Sequence, residues 1–539
     1  LRARQSAGRA VLLAGILANA PLSRAAEPTL PTDEDISAKQ YAAAIERFNA
    51  LDPQSPDTLD TRLTYANFLT KLEHGNCAHL DEAQTQLEIA QENPALAVVL
   101  PSGLARVAAV EYQLHSARAS CGASAAVRDQ ELHAALESAQ RAVDLYRDAF
   151  DTVSMVTMQF NVSVAYHDLG DAAAAAAALR ATLDLDREYG FADDAADNYR
   201  MLLQWNNEDS SQAQVDAWMK DFPERSATLS FGWAESDAAL TLQSDVSNLA
   251  GADFAHFQAS RTAQRHVRKG WNSWLVSLQL DEPHFEIGEL PSSDRLALSF
   301  ANSLARVLEH FHDFRLSPKG DFDQSKGDVR FVFRARADAK ALAHNLGSPG
   351  SDSSGAQSSR LAHRIGVDVK AALLAEAIEA QTAEDYNLDA GTWIGATLEQ
   401  GVWYDMTAAL FLPLATQVIL THKIQFTYSR PVPCTPGSSE VSCIEIVLRA
   451  VPDPVVLRTS LDTLARQPHF ARGRPPQLWS AATIRLVTDP TTLWTYSRET
   501  HWHAYWSNGN SGPDQSLIVS EKTILSMSAP NPVSAPTPP

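Results

Sequence analysis

Glu499, His501, His503 and Tyr505 occupy alternate positions of the stretch RETHWHAYW. Along a β-strand successive side chains point to opposite faces, so these four project from one side. Two neutral imidazoles and a carboxylate on one face form a donor set for a divalent transition metal. Glu499, His501 and His503 are therefore the candidate metal ligands, and a metal-dependent hydrolase is the enzymatic reading they open. Trp502, Ala504 and Trp506 fall on the opposite face and read as core. The same alternation also describes the wet side of a half-buried strand, because only a closed coordination set makes a metal motif specific. The chain has no GxSxG elbow, HExxH helix, P-loop or GxGxxG turn. Motifs therefore nominate no catalytic residue and no cofactor.

The four cysteines are Cys77, Cys121, Cys434 and Cys443. In an oxidising compartment an even count suggests disulfides. Cys434 and Cys443 flank a turn-like stretch between two strand-like runs, where a bridge closes a hairpin loop. Cys77 and Cys121 fall in corresponding connections of two successive helical units, which offers the second pairing. No CxxC occurs, so zinc and thioredoxin-type chemistry are not supported. Trp271, Trp274, Trp393, Trp403, Trp479, Trp494, Trp502 and Trp506 all lie beyond the helical half. They read as core, or as the lining of an apolar site.

The elements that position these residues fall into two textures. From residue 36 to 223 the pattern is helical and rich in Ala and Leu. Val162, Ala165, Tyr166 and Leu169 recur at helical spacing, Gly170-Asp171 interrupts, and Ala175, Leu179, Thr182 and Leu183 resume it. That is helix, tight turn, helix, with Gly170 placed to take a positive φ. The second-helix spacing recurs as Ala83, Leu87, Ala90 and as Ala135, Ala139, Ala142, and a fourth hairpin is expected over 192–222.

Through Ala165-Tyr166, Gly170-Asp171, Ala175 and Leu183 to Asp186, this region resembles a tetratricopeptide-repeat unit of a secreted bacterial protein. Gln159 stands where that family usually has Trp, and Ser163 where it usually has Gly. The resemblance implies stacked hairpins whose first helices line a concave face that receives a protein partner. Gln159, Ser163, His167, Asn198 and Gln204 are the candidate partner contacts it implies.

Past residue 223 the texture becomes that of strands. WNSWLVSLQL, DVRFVFRARA, TQVILTHKIQFTYSR, CIEIVLRAV, SAATIRLVT, TLWTYSRETHWHAYW and QSLIVSEKTILSM are rich in aromatic and β-branched residues. Helices are expected over 296–314 and 456–467. The fold class is α+β: an N-terminal helical repeat array, then an antiparallel-sheet-rich region with packed helices. The divisions are 36–223 helical, 226–345 α/β, 346–360 a Gly/Ser-rich linker or loop, 361–525 antiparallel β-rich, and 526–539 a disordered tail.

Arg2, Arg4 and Arg9 precede an apolar run from Ala10 to Ala18, and Ser23-Arg24-Ala25 follows. This is the layout of a signal peptide over 1–25 and places the protein in the periplasm or outside the cell. No integral membrane segment is expected after its removal, since no later run approaches ~20 apolar residues. The formal net charge of −21 argues against nucleic acid and anionic membrane surfaces as partners. Three readings of function follow. The first is a non-enzymatic scaffold of the cell envelope that binds a protein partner through its helices. The second is a carrier of an apolar small molecule in the β-rich domain, and the third is the metal-dependent hydrolase.

Overall fold

Small side chains let the N-terminal helices approach closely. Ala83, Ala90, Ala135, Ala139, Ala142, Ala165 and Ala175 are all at most 2 % exposed. The computed structural model describes residues 59–71, 77–93, 96, 102–121, 124–223, 225–290, 294–309, 313–323, 375–412, 415–438, 441–465, 477–507 and 516–532. The expected signal peptide, the linker over 346–360 and the strand DVRFVFRARA lie outside them.

The helical half is a stack of hairpins: α1 (Leu59–Lys71) with α2 (Leu80–Glu92), α3 (Gly103–Ser120) with α4 (Ala125–Asp148), α5 (Thr152–Asp168) with α6 (Ala172–Tyr189), and α7 (Ala192–Trp205) with α8 (Gln212–Met219). Each helix packs on the next. Local chemistry sets the boundaries. Asp151 and Asp171 accept hydrogen bonds from the backbone N–H of Ser154 and Ala174, at 3.1 and 3.0 Å. Such caps are worth about 1 kcal/mol each. Gly170 and Gly190 take φ of +80° and +81°, the left-handed conformation that favours glycine after a helix. Both expected disulfides are formed, with Cα–Cα separations of 5.8 Å for Cys77–Cys121 and 5.0 Å for Cys434–Cys443. The first ties the α1–α2 connection to the α3–α4 connection.

The rest of the described chain is dominated by one antiparallel sheet. Its strands are β2 (Ser236–Ala250), β3 (Asp253–Lys269), β4 (Trp274–Leu280), β5 (His284–Glu289), β6 (Phe314–Leu316), β8 (Trp403–Leu412), β9 (Ala415–Pro433), β10 (Val441–Pro452), β11 (Gln477–Thr488), β12 (Thr495–Ser507), β13 (Ser516–Met527) and β14 (Asn531–Pro532). The order is β6-β4-β3-β2-β13-β12-β11-β10-β9-β8, with β5 on β3 and β14 on β2. A separate two-stranded sheet pairs β1 (Ser226–Thr228) with β7 (Thr397–Glu399). The β2–β13 ladder joins the 226–345 and 361–525 regions in one sheet, from Leu517↔Ala250 to Met527↔Leu240. Within the expected tail, Ser526 and Met527 complete β13, and Asn531 and Pro532 pair with Asp237 and Ser236. Composition alone misses this, because backbone pairing needs no particular side chain.

The expected helices over 296–314 and 456–467 are present as α9 (Asp294–Glu309) and α11 (Pro454–Ala465), except that Phe314 belongs to β6 and not to the helix. A further helix, α10 (Ala375–Asp389), lies beside α9. Together α9 and α10 cover the sheet's inner face.

Candidate functional site

The inner face is largely apolar because most inward positions of its strands carry apolar side chains. Ile446, Leu448, Ile484, Leu486, Trp502, Ala504 and Val519 form one continuous core with Phe257, Ile424 and Phe426. From above, α9 inserts Leu296, Ala297, Phe300, Ala301 and Leu304, all 0 % exposed. Phe300 meets Phe257 edge-on at 5.0 Å, and Trp393 meets Phe426 at 5.0 Å. The main sheet contacts of α9 are with β2 and β3 on one side and with β9 on the other. Between β3 and β9 lie six strand spacings, or ~29 Å on a flat sheet. A sixteen-residue helix is only ~24 Å long. It therefore spans most of the distance between them, and its apolar side chains share one core with β10–β13. The arrangement is a trough with β10–β13 as its floor, filled by α9.

Polar groups also enter this interior. Ser303 is 0 % exposed, and its hydroxyl has no hydrogen-bond partner among the described residues. Ser244 and Thr523 pair at 3.1 Å beneath. Toward one end Arg265 lies between Trp233 and Trp494, 4.4 and 4.9 Å from the ring centres. Burial pulls its guanidinium down to about 10. There Arg498 holds α10 by ion pairs of 3.0 Å to both Asp385 and Asp389.

The face carrying Glu499, His501, His503 and Tyr505 is not the wet side of the sheet. The helical stack stands on it. Tyr505 packs with Leu59, Leu63, Leu87 and Leu114, and His501 meets Phe150 at 5.2 Å. Glu499 Oε1 is 3.0 Å from His501 Nε2 and 2.8 Å from Lys522 Nζ. The His501 hydrogen bond, with help from Lys522, holds the Glu499 carboxyl down at about 2. Burial, with His501 nearby, pushes the His503 imidazole down to about 4. Glu499 and His501 are thus brought together, but as part of an ion-paired junction. Among the described residues no group of three His, Cys, Asp or Glu is placed to hold a metal ion.

The same junction continues on neighbouring strands. Arg430 pairs with Glu188 at the end of α6 and lies 3.3 Å from Glu445, which in turn pairs with Arg485 at 2.5 Å. Arg449 pairs with Asp151, the α5 cap, at 2.7 Å. Gly401 lets the chains meet, since a Cβ there would stand 2.9 Å from the Tyr189 carbonyl. Sequence reasoning missed this network, whose partners Glu188 and Arg430 are 242 residues apart. It also missed Arg498, although strand parity places that residue on the same face as Trp502.

The partner contacts expected on the helices divide. Ser163 and Asn198 are buried and spent internally, which corrects their expected place on an outward face. The Ser163 hydroxyl donates to the Phe160 carbonyl at 2.6 Å, and the Asn198 amide donates to Asp186 at 2.8 Å. Gln159 is half-buried and Gln204 exposed. His167 is exposed on one side and stacks on Trp205 at 4.5 Å.

No protein-family model and no curated protein sequence matches the chain. A solved structure described as "lipid-protein interactions in lipovitellin" is similar over 57 % of this chain at 6 % identity, with a TM-score of 0.27. The match spans 26 % of that protein's chain, about a quarter of its length. At that score the likeness fixes neither fold nor function.

Proposed function

We propose that the sheet domain is a carrier of an apolar small molecule, with the trough as the binding space and α9 as its cover. The observation that carries this is the seating of α9: it touches β2 and β3 on one side and β9 on the other, and faces the floor strands with apolar side chains. Apolar contacts are non-directional, so a helix held by them can lift and be replaced by an acyl chain of similar volume. The two disulfides support an oxidising compartment, and with it the periplasmic or secreted location. The test is titration of the full chain with a pyrene-labelled fatty acid, together with native mass spectrometry of the freshly purified protein. Saturable one-to-one binding, weakened by Leu486→Arg on the trough floor while binding by a surface control variant is unchanged, supports the carrier. Absence of both saturable binding and a co-purified lipid mass overturns it.

A second reading assigns a protein partner to the helical stack. It is favoured because the stack meets the sheet through Phe150, Asp151, Glu188 and Tyr189, at the connections between hairpins. That leaves Gln159, His167 and Gln204 outside the junction. Loss of a captured envelope protein on His167→Asp with Gln204→Glu supports this reading, and unchanged capture removes it.

A further inference from the structure

Trp271 is the residue the fold leaves unexplained. It is 104 % exposed, whereas Trp233, Trp393, Trp494 and Trp502 are at most 6 % exposed. It sits at the apex of the β3–β4 hairpin, and that turn is fixed. The Gly270 N–H donates to the Ser273 carbonyl at 2.7 Å, and Lys269 pairs with Trp274 across the ladder. The indole is thus held in water by an ordered turn, with no internal contact in return.

We propose that this hairpin tip is a bilayer anchor, with Trp271 inserting into the interfacial layer of a zwitterionic phospholipid membrane. The chemistry of the tip fits that layer. An indole combines a large apolar body with one N–H donor, and Trp collects at membrane interfaces for that reason. Lys269 is exposed beside it. Leu316 pairs with Trp274, so the chain that follows it, with exposed Pro318 and Lys319, runs on past the same end of the sheet. Leu275 adds a 39 % exposed apolar side chain just below the apex. Ammonium groups at this height meet headgroup phosphates while their stems lie along apolar surface. The formal charge of −21 disfavours an anionic surface and selects the zwitterionic one.

A protein partner fits less well. Interface tryptophans act as central anchors ringed by other contact residues that exclude water. Trp271 instead protrudes singly, next to exposed Asn272. Among the described residues no helix is long and apolar enough to cross a membrane, so a tip contact is a peripheral mode of attachment. The proposal is independent of what the trough holds.

The experiment floats the full chain with phosphatidylcholine vesicles and repeats it with vesicles brominated in the acyl chains. The wild-type chain is expected to float, and bromine to quench part of its tryptophan emission. Trp271→Ala should lower the partition coefficient roughly tenfold or more, from the indole area withdrawn from the bilayer. The same variant should abolish the bromine quenching, and Trp271→Phe should retain part of the binding. The melting temperature and the fatty-acid titration in solution stay unchanged in Trp271→Ala, which separates this proposal from the carrier reading. Failure of the wild-type chain to float overturns the anchor, as does undiminished flotation or quenching in Trp271→Ala.

Discussion

The two faces of β10 and β11 are held by different physics. Inward, Ile446, Leu448, Ile484 and Leu486 meet other apolar groups. Outward, Glu445, Arg449 and Arg485 meet partners at fixed angles on the helical stack or on the next strand. Ion pairs and hydrogen bonds are directional and specify one docked position. Apolar contacts specify volume and tolerate repacking. The sheet therefore grips the helical stack in one register and holds α9 chiefly by volume, with a polar tie where the Asn248 side-chain oxygen on β2 accepts from the Phe300 backbone N–H at 3.1 Å. The α10 end of the inner face is held differently, by Arg498 bound to Asp385 and Asp389. One cover is pinned by buried charge, and the other rests mainly on apolar contact.

The largest effect tests the α10 end. Arg498→Met removes the cation and leaves two carboxylates facing a buried methionine. Removing one partner of a buried ion pair costs about 3–5 kcal/mol. Urea unfolding of the sheet domain should shift by that amount, and α10 amides should exchange faster while α9 amides change less. A shift below about 1 kcal/mol would show that α10, too, is held by volume.

Next in size is the outer grip. Glu445 is 3 % exposed and serves both Arg430 and Arg485. Glu445→Gln keeps the shape and removes the charge. It should cost about 2–3 kcal/mol, the range for hydrogen bonds to charged groups with partial rescue by solvent. The loss should appear as earlier exchange of amides near residues 188–191. Equal protection there in both proteins would sink the idea that charge fixes the register.

Legibility in the sequence followed the range of the interactions. Gly170, the α9 period and the Cys434–Cys443 loop are set by neighbours within about one element, and pattern was enough to find them. The Cys77–Cys121 pairing was readable because hairpins repeat. β2 and β3 were not read as strands, although Ala238, Leu240, Leu242 and Val246 do alternate inward. Their β-branched content is low, since Ala, Ser and Asn at inner positions make room for α9. Alternation at Glu499, His501 and His503 correctly placed them on one face. What covers that face depends on a helical stack hundreds of residues earlier, and no local pattern reports it.

The smallest effect probes a weak point within the grip itself. Asp186 lies on α6 two residues before Glu188, is 0 % exposed, and takes one hydrogen bond from Asn198 while its Oδ1 has none among the described residues. Burial, opposed by that hydrogen bond, raises its carboxyl to about 7. In the unfolded chain the same group titrates near its ordinary 3.8. Between those values the folded protein holds a proton that the unfolded chain has released. Stability therefore falls as pH rises through this window and levels off above about 7. An effective dielectric well above that of a dry interior limits the swing to on the order of 1–2 kcal/mol, about one pH unit of linkage. Asp186→Asn imitates the protonated form, so it should remove most of the swing and match the wild-type chain near pH 4. Its urea midpoint at pH 8 should exceed the wild type's, and the Asn198 contact survives because an amide oxygen still accepts. An identical pH slope in the two proteins would mean that the α6–α7 seam does not set the strength of the grip, and that the ion pairs of Glu445 and Arg449 do.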